Sequence, residues 1–493
     1  MKTNTLDFDA QALREKILDL AMRGKLVPQD PNDEPASVLL EKIKAEKEQL
    51  IKEKKIKKSK PLAPITDDEK PFDIPDSWEW VRLGDVFDIT SSKRVMKKEW
   101  KDSGIPFYRA REIVSIKRNR PLKDPIYIDK KTYSEKIKVS GKPRENDILL
   151  TGVGTLGIPY IVPKDKEFYF KDGNIIWLKN FGKVNSNFIS YYVQSPYMLK
   201  MINNGRGTTV ATLTIIRSEK LLVPLPPLSE QSRIAAKIAQ LFALLRKVES
   251  STQQYAKLQT LLKSKVLDLA MRGKLVKQDP NDEPASELLK KIKTEKAELI
   301  KEKKIKKTKP LPPITDDEKP FDIPDSWEWV RLGDVLKPEI YRKPNVDFMY
   351  IDIASVNNKI NKVTNPTKII INKDKIASRA RQVLSKNDIL FSVVRPYLKN
   401  IAMVPNTKDV QVGSTGFYVL KPYDLLNRHY LFYLMLSKYV IQNMTNKMRG
   451  DNSPSIRKSD LQNLLIPLPP IDEQLQIVNI IQNLNLIFNK VQE

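Results

Sequence analysis

The passage from Leu18 to Val86 returns without a gap from Leu267 to Val335, and the two copies differ at eight of 69 positions. Identity at that level over that length is the mark of a duplication. Its period, about 250 residues, is far too long for a solenoid, whose repeats run at about 20 to 50 residues. Past Val86 and Val335 the likeness stops and returns only in fragments. "NDILL" at 146 answers "NDILF" at 387, Arg206-Gly207 answers Arg449-Gly450, and "LLVPLPPLSEQ" at 221 answers "LLIPLPPIDEQ" at 464. The chain therefore carries two copies of one domain that share landmarks and differ in the loops between them.

Each Pro-rich tag leads into a helix, with Ser229 or Asp472 expected as N-cap and Glu230 or Glu473 in the first turn. Apolar residues then recur at three- and four-residue steps: Ile234, Ile238, Leu241, Leu245, Val248, Tyr255, Leu262, Val266 and Leu269, with Thr252 and Gln259 filling two seam positions. The spacing predicts one helix from 229 to 272, about 66 Å long at 1.5 Å per residue, ended by Gly273. In the second copy Ile477, Ile481, Leu484, Phe488 and Val491 repeat the seam up to the last residue, Glu493. Leu13, Ile17 and Leu20 stand at the registers of Leu262, Val266 and Leu269, so the N-terminal helix is expected to supply what the C-terminal one lacks. The expected reason that the passage occurs twice is that two equivalent units form a closed, pseudo-twofold arrangement opened inside one of its long helices. A lysine-rich helix is expected from Ala36 to Lys58 and from Ala285 to Lys307, and "KPLAPITDDEKPFDIPDSW" reads as an extended linker. Alternating Trp78, Glu79 and Trp80, then "DILL", "YIVP" and "NIIWLK", read as short strands, with a helix near "FISYYVQSPYMLKMI".

Chemistry-bearing motifs are scarce. "GVGTLG", Gly152 to Gly157, fits a dinucleotide fingerprint, but Pro159 and Pro163 follow where a helix is needed, and the second copy has "VVRPYL"; it reads as a tight loop. His429 is the one histidine and reads as a helix-start residue, which leaves no histidine-based zinc site or serine triad. No phosphate-binding loop is present, and the chain reads as non-catalytic. Zero cysteines exclude disulfides and thiolate metal sites. No apolar run approaches the roughly 18 residues of a membrane span, and no signal-peptide core follows Met1, so the expected compartment is the cytoplasm.

With 86 Lys plus Arg against 60 Asp plus Glu, the formal net charge is +26, which points to a polyanionic partner. The candidates for DNA contact are Lys93, Arg94, Lys97, Lys98, Arg109, Arg111, Lys117, Arg118 and Arg206 in the first domain, the earlier ones interleaved with Trp100, Phe107 and Tyr108. In the second domain they are Arg342, Lys343, Arg395, Lys399, Arg449 and Lys458. Cations of this density suit phosphate contacts plus arginine readout of guanine edges.

Taken together, "LDLAMRGKLV" at 18 and 267, "IPDSWEWVRLGDV" at 74 and 323, and the helix starts "PLPPLSEQSRIAAKI" and "PLPPIDEQLQIVNII" resemble the specificity subunits of type I restriction-modification systems. The resemblance covers essentially the whole chain. It implies a mixed α/β (α+β) fold in which two tandem target-recognition domains are separated by long antiparallel coiled-coil helices. The expected divisions are a repeated helical region 1–71, recognition domain 72–228, helical spacer 229–320, recognition domain 321–470 and spacer helix 471–493. It also implies double-stranded DNA as ligand, two methyltransferase subunits and, in the full nuclease, restriction subunits as partners. S-adenosylmethionine, ATP and magnesium are expected in those partners and no cofactor in this chain. The competing expectation, a basic coiled-coil scaffold without sequence-specific DNA reading, is separated from this one by salt-sensitive, sequence-selective duplex binding.

Overall fold

The computed structural model describes residues 9–58, 60–203 and 212–490. They fall into two compact units that divide at Ser251/Thr252, within a single helix, Leu228–Met271. Its bounds lie within one residue of the periodic pattern. Ser229, however, is already inside the first turn and gives its hydroxyl to Asp33 instead of capping the helix; the chain enters through Pro227, whose carbonyl accepts the Gln231 N–H.

In the first unit the helix Ala10–Met22 is tied to the middle of the long helix. Arg14 Nη2 lies 2.5 Å from Glu249 Oε2, and further along the chain Asp33 lies 2.5 Å from Arg233, nearer the long helix's beginning. Leu18, Ala21, Met22, Leu39 and Ile43 are buried in one core with Trp78, Val81, Phe188, Ile234 and Ile238, so the repeated N-terminal passage packs into the first domain. The second unit has the same plan. The Lys263 ammonium sits 5.3 Å over the ring of Phe488 in the helix Ile471–Lys490, and Val266, Ala270, Leu288 and Ile292 share a core with Trp327, Ile466, Ile477 and Ile481. The seam of the long helix is buried toward both ends, at Ile234, Ile238, Leu245 and Val266, but Val248 is 44% and Leu262 46% exposed.

Glycine explains the shared "RGKL". Gly24 and Gly273 close their helices with φ of +67° and +63°, and a Cβ on either would lie 2.4 or 2.3 Å from a ring carbon of Pro75 or Pro324. The lysine-rich helices end earlier than periodicity suggests, at Lys52 and Lys301. Lys54 and Lys303 take the left-handed conformation there, and the N–H groups of Lys54 and Lys55 bond back to Ile51 and Leu50. This is a Schellman cap built on lysine, so no glycine marks the stop in the sequence. The Pro-rich linker is extended, as expected, but it is fastened down: buried Arg82 donates to the carbonyls of Ala63, Pro64 and Lys220 and pairs with Glu69 at 2.9 Å. Arg331 does the same with Pro312, Pro313, Asn463 and Glu318.

Both domains open with the repeated Trp strand paired antiparallel to the Pro-rich tag, Glu79–Arg82 with Leu222–Leu225 and Glu328–Arg331 with Leu465–Leu468. Beyond it, the first domain has a sheet ordered Phe87–Thr90, Ile175–Asn180, Ile148–Thr151, Pro159–Ile161. In the second, Leu336–Lys337, Phe417–Pro422, Ile389–Ser392 and Ile401–Met403 repeat that order, and two short strands extend it. Each of the three runs read as a strand overlaps one. The run near "FISYYVQSPYMLKMI" is two helices, Ser186–Val193 and Pro196–Asn203, because Pro196 cannot continue the first. A second four-stranded sheet in each domain differs between them in strand order along the chain.

Candidate nucleic-acid interface

The recognition loops stand on a clasp that is the same in both units. Glu230, 1% exposed, accepts the indole N–H of Trp78 at 2.8 Å and the amide of Gln29 at 2.6 Å, while Ser77 bonds Gln29. Glu473, Trp327, Gln278 and Ser326 repeat these bonds. The neighbouring Gln231 and Gln474 donate to the carbonyls of Pro226 and Pro469 and accept the N–H of Asn185 and Asn427, the N-caps of the helices Ser186–Val193 and Arg428–Met435. The "EQ" of the tag is thus a junction joining repeat, Trp strand, domain and long helix. In sequence it shows only as acid in a first turn. Burial raises the pKa of both glutamates, against the hydrogen bonds from tryptophan and glutamine.

In the first domain Lys93 and Arg94 follow the strand Phe87–Thr90, and both are exposed. Tyr169 Oη accepts the Lys93 N–H at 2.8 Å, and Arg94 reaches Asp172 at 3.1 Å with three-quarters of its side chain open. Lys97 and Lys98 are exposed in the 3-10 turn Lys97–Glu99. Arg109 and Arg111 both bind Glu112, each at 2.6 Å. Burial pushes that carboxyl up, but the arginine hydrogen bonds outweigh it and the net pKa is lowered. Arg109 also lies 5.8 Å over the Trp100 ring, so its guanidinium holds the domain together, whereas Arg111 keeps half of its side chain in solvent. Lys117 and Arg118 are exposed at the end of the helix Ala110–Lys117, and desolvation lowers the Lys117 pKa even though the residue as a whole is open. Arg206 lies outside the described residues. Of the aromatics interleaved with these cations, Phe107 is fully buried and Tyr108 nearly so, because their strand, Ile105–Tyr108, lies inside the second sheet, and neither is available for stacking; Trp100 is half-buried.

In the second domain Arg342 and Lys343 are exposed beside Tyr341. Lys458 also bonds the Tyr341 hydroxyl and pairs with Glu339 at 2.8 Å, so it is engaged within the domain. Arg449 pairs with Asp460 at 2.6 Å, which lowers the aspartate pKa. Residue 455 forms bridges to both Arg449 and Val394, placing Arg449 beside the turn that carries Arg395 and Lys399. "GVGTLG" is the connection between Ile148–Thr151 and Pro159–Ile161 and leads into a strand, as a tight loop does. His429 is the second residue of its helix, with its N–H bonded to the N-cap Asn427. Among the described residues no cluster of three or more His, Cys, Asp or Glu is arranged to hold a metal ion, and no helix is long and apolar enough to cross a membrane.

Two domains of one scaffold, each offering exposed cations from loops the other does not share, match known proteins twice along this chain. The family described as the type I restriction modification DNA specificity domain matches residues 75–259 and again 324–492. The chain belongs to the specificity subunits of type I restriction-modification systems. It is 33% identical to the type I restriction enzyme EcoAI specificity subunit of Escherichia coli, over 98% of this chain and 90% of that one. It is 36% identical to the EcoEI specificity subunit of the same organism, over 67% and 62%. The crystal structure of an HsdS subunit from Thermoanaerobacter tengcongensis shares its fold with a TM-score of 0.52 at 20% identity, covering 86% of this chain and 92% of that one. Specificity subunits recognise DNA sequence and are the non-catalytic components of their complexes.

Proposed function

We propose that this specificity subunit binds a bipartite, asymmetric duplex DNA site, one half per recognition domain, and directs two methyltransferase subunits and, in the complete nuclease, restriction subunits to it in the cytoplasm. S-adenosylmethionine, ATP and magnesium belong, in this reading, to those partners. One observation carries it: the family domain occurs twice, on sheets of the same strand order whose connections carry different side chains, "GVGTLG" in one and "VVRPYL" in the other. A shared scaffold gives two reading heads one geometry, and different loops give them different targets. The net charge of +26 supplies sequence-independent affinity through release of counterions from the phosphates.

The test is duplex binding by the chain together with its methyltransferase partner over a salt series. A steep fall of affinity with salt, together with strong preference for one bipartite sequence over random duplex, supports the reading. Binding that falls with salt but ignores sequence would reduce the chain to a basic scaffold.

A further inference from the structure

The two domains fill one position of their common sheet in opposite ways. In the first, the connection from Ile148–Thr151 to Pro159–Ile161 takes its left-handed turns at Gly154 and Gly157, with φ of 77° and 71°. Glycine enters that region without steric cost. In the second, the connection from Ile389–Ser392 to Ile401–Met403 has φ of 48° at Arg395 and 53° at Lys399. Long L side chains disfavour that region, so the surroundings must impose it. They do so from two sides. The Arg395 N–H and Nη2 bond the carbonyls of Pro454 and Asn452, both at 2.9 Å. Asn358 donates to the carbonyl of Leu398 at 2.8 Å, and Asn361 to those of Lys399 and Ile401 at 3.0 and 3.1 Å.

This held turn presents Tyr397 and Leu398, 46% and 41% exposed, between exposed Arg395 and Lys399. Among the described residues neither cation has a carboxylate partner, unlike Arg94, Arg109, Arg111, Arg449 and Lys458. The segments that brace the turn add exposed Lys359, Lys447 and Arg457. An apolar tip flanked by two cations without carboxylate partners, on a backbone held in an unfavourable conformation, is suited to a polyanion with apolar edges between its charges. Duplex DNA has that chemistry.

We propose that the turn Arg395–Lys399 is a reading element of the second recognition domain: Arg395 and Lys399 hold flanking phosphates while Tyr397 and Leu398 pack against base edges in the groove. This rests on the DNA-reading function proposed above and assigns it to particular residues. The glycine turn of the first domain offers no such side chains, so that half-site must be read from other loops.

The test uses the full chain with its methyltransferase partner. Replacing both left-handed residues by glycine (Arg395→Gly with Lys399→Gly) should leave Tm unchanged or raise it, lower specific affinity at least tenfold, and make the dependence of log affinity on log salt shallower by about two. The Tyr397→Ala/Leu398→Ala variant should keep the wild-type salt slope and lose discrimination in the second half-site alone. Wild-type affinity, salt slope and half-site preference in both variants would overturn the assignment. Absence of any sequence preference in the wild-type complex would instead overturn the function on which it rests.

Discussion

Glu230 and Glu473 place a carboxyl where almost no water reaches, and both pKa values rise because burial disfavours the ionised form more than Trp78 or Trp327 and their glutamine partners favour it. A carboxyl whose folded pKa lies above its ordinary 4.5 binds its proton more tightly in the native state. Stability then falls as pH rises from that ordinary value through the raised one. The Glu230→Gln/Glu473→Gln variant keeps an acceptor for each indole and removes the titration. It should lose part of that pH-dependent fall, measured as Tm from pH 4 to 8, at a cost within about 1 kcal/mol per site at pH 7. Glu230→Ala leaves the buried Trp78 indole unpaired, removes the Gln29 bond and should cost about 2–3 kcal/mol. Only part of this is legible in the sequence. Trp78 announces a buried strand entry through alternation with Trp80, but the partnership of Gln29, Trp78 and Glu230 joins residues about 50 and 150 positions apart, and no local pattern encodes it. The basic residues show the converse. Composition finds the cations, but it cannot tell Arg109, held on Glu112, from Arg395, which no carboxylate among the described residues neutralises.

Helix ends mark the same boundary between what sequence shows and what it hides. Gly24 and Gly273 are readable stops, because a helix closing on a left-handed residue favours glycine. Lys54 and Lys303 occupy the same conformation, and a lysine inside a lysine-rich run gives no signal, which is why periodicity carries the helix six residues too far. Lys54→Gly should therefore stabilise the first unit by about 0.5–1 kcal/mol, since the left-handed penalty is about 1–2 kcal/mol and glycine's chain entropy offsets part of it. Gly24→Ala should destabilise by about 2 kcal/mol or more, adding a clash with Pro75 to the backbone penalty. Thermal unfolding of the two variants beside the wild type checks both signs. The long helix is the most legible element of all: 44 residues, Leu228–Met271, follow from a sustained apolar period.

At the scale of the molecule, that helix is the element that continues from one unit to the next, and under the proposed function it sets the distance between half-sites. Inserting four residues near Ser250 adds about 6 Å and turns the downstream face by about 40°, against about 3.4 Å and 34–36° per base pair of DNA. The preferred gap should widen by one or two base pairs with both half-sites unchanged, as read by mapping methylated sites; an unchanged gap in an active complex would show that another element is the ruler.

If each domain reads its own half of the target, the halves must be separable by exchanging one domain. The decisive measurement replaces residues 88–220 by the matching region of another specificity subunit and maps the sites methylated by the resulting complex. One half of the target should change while the other stays as in the wild type. A change in both halves, or in neither while the complex remains active, would show that the domains do not read independently.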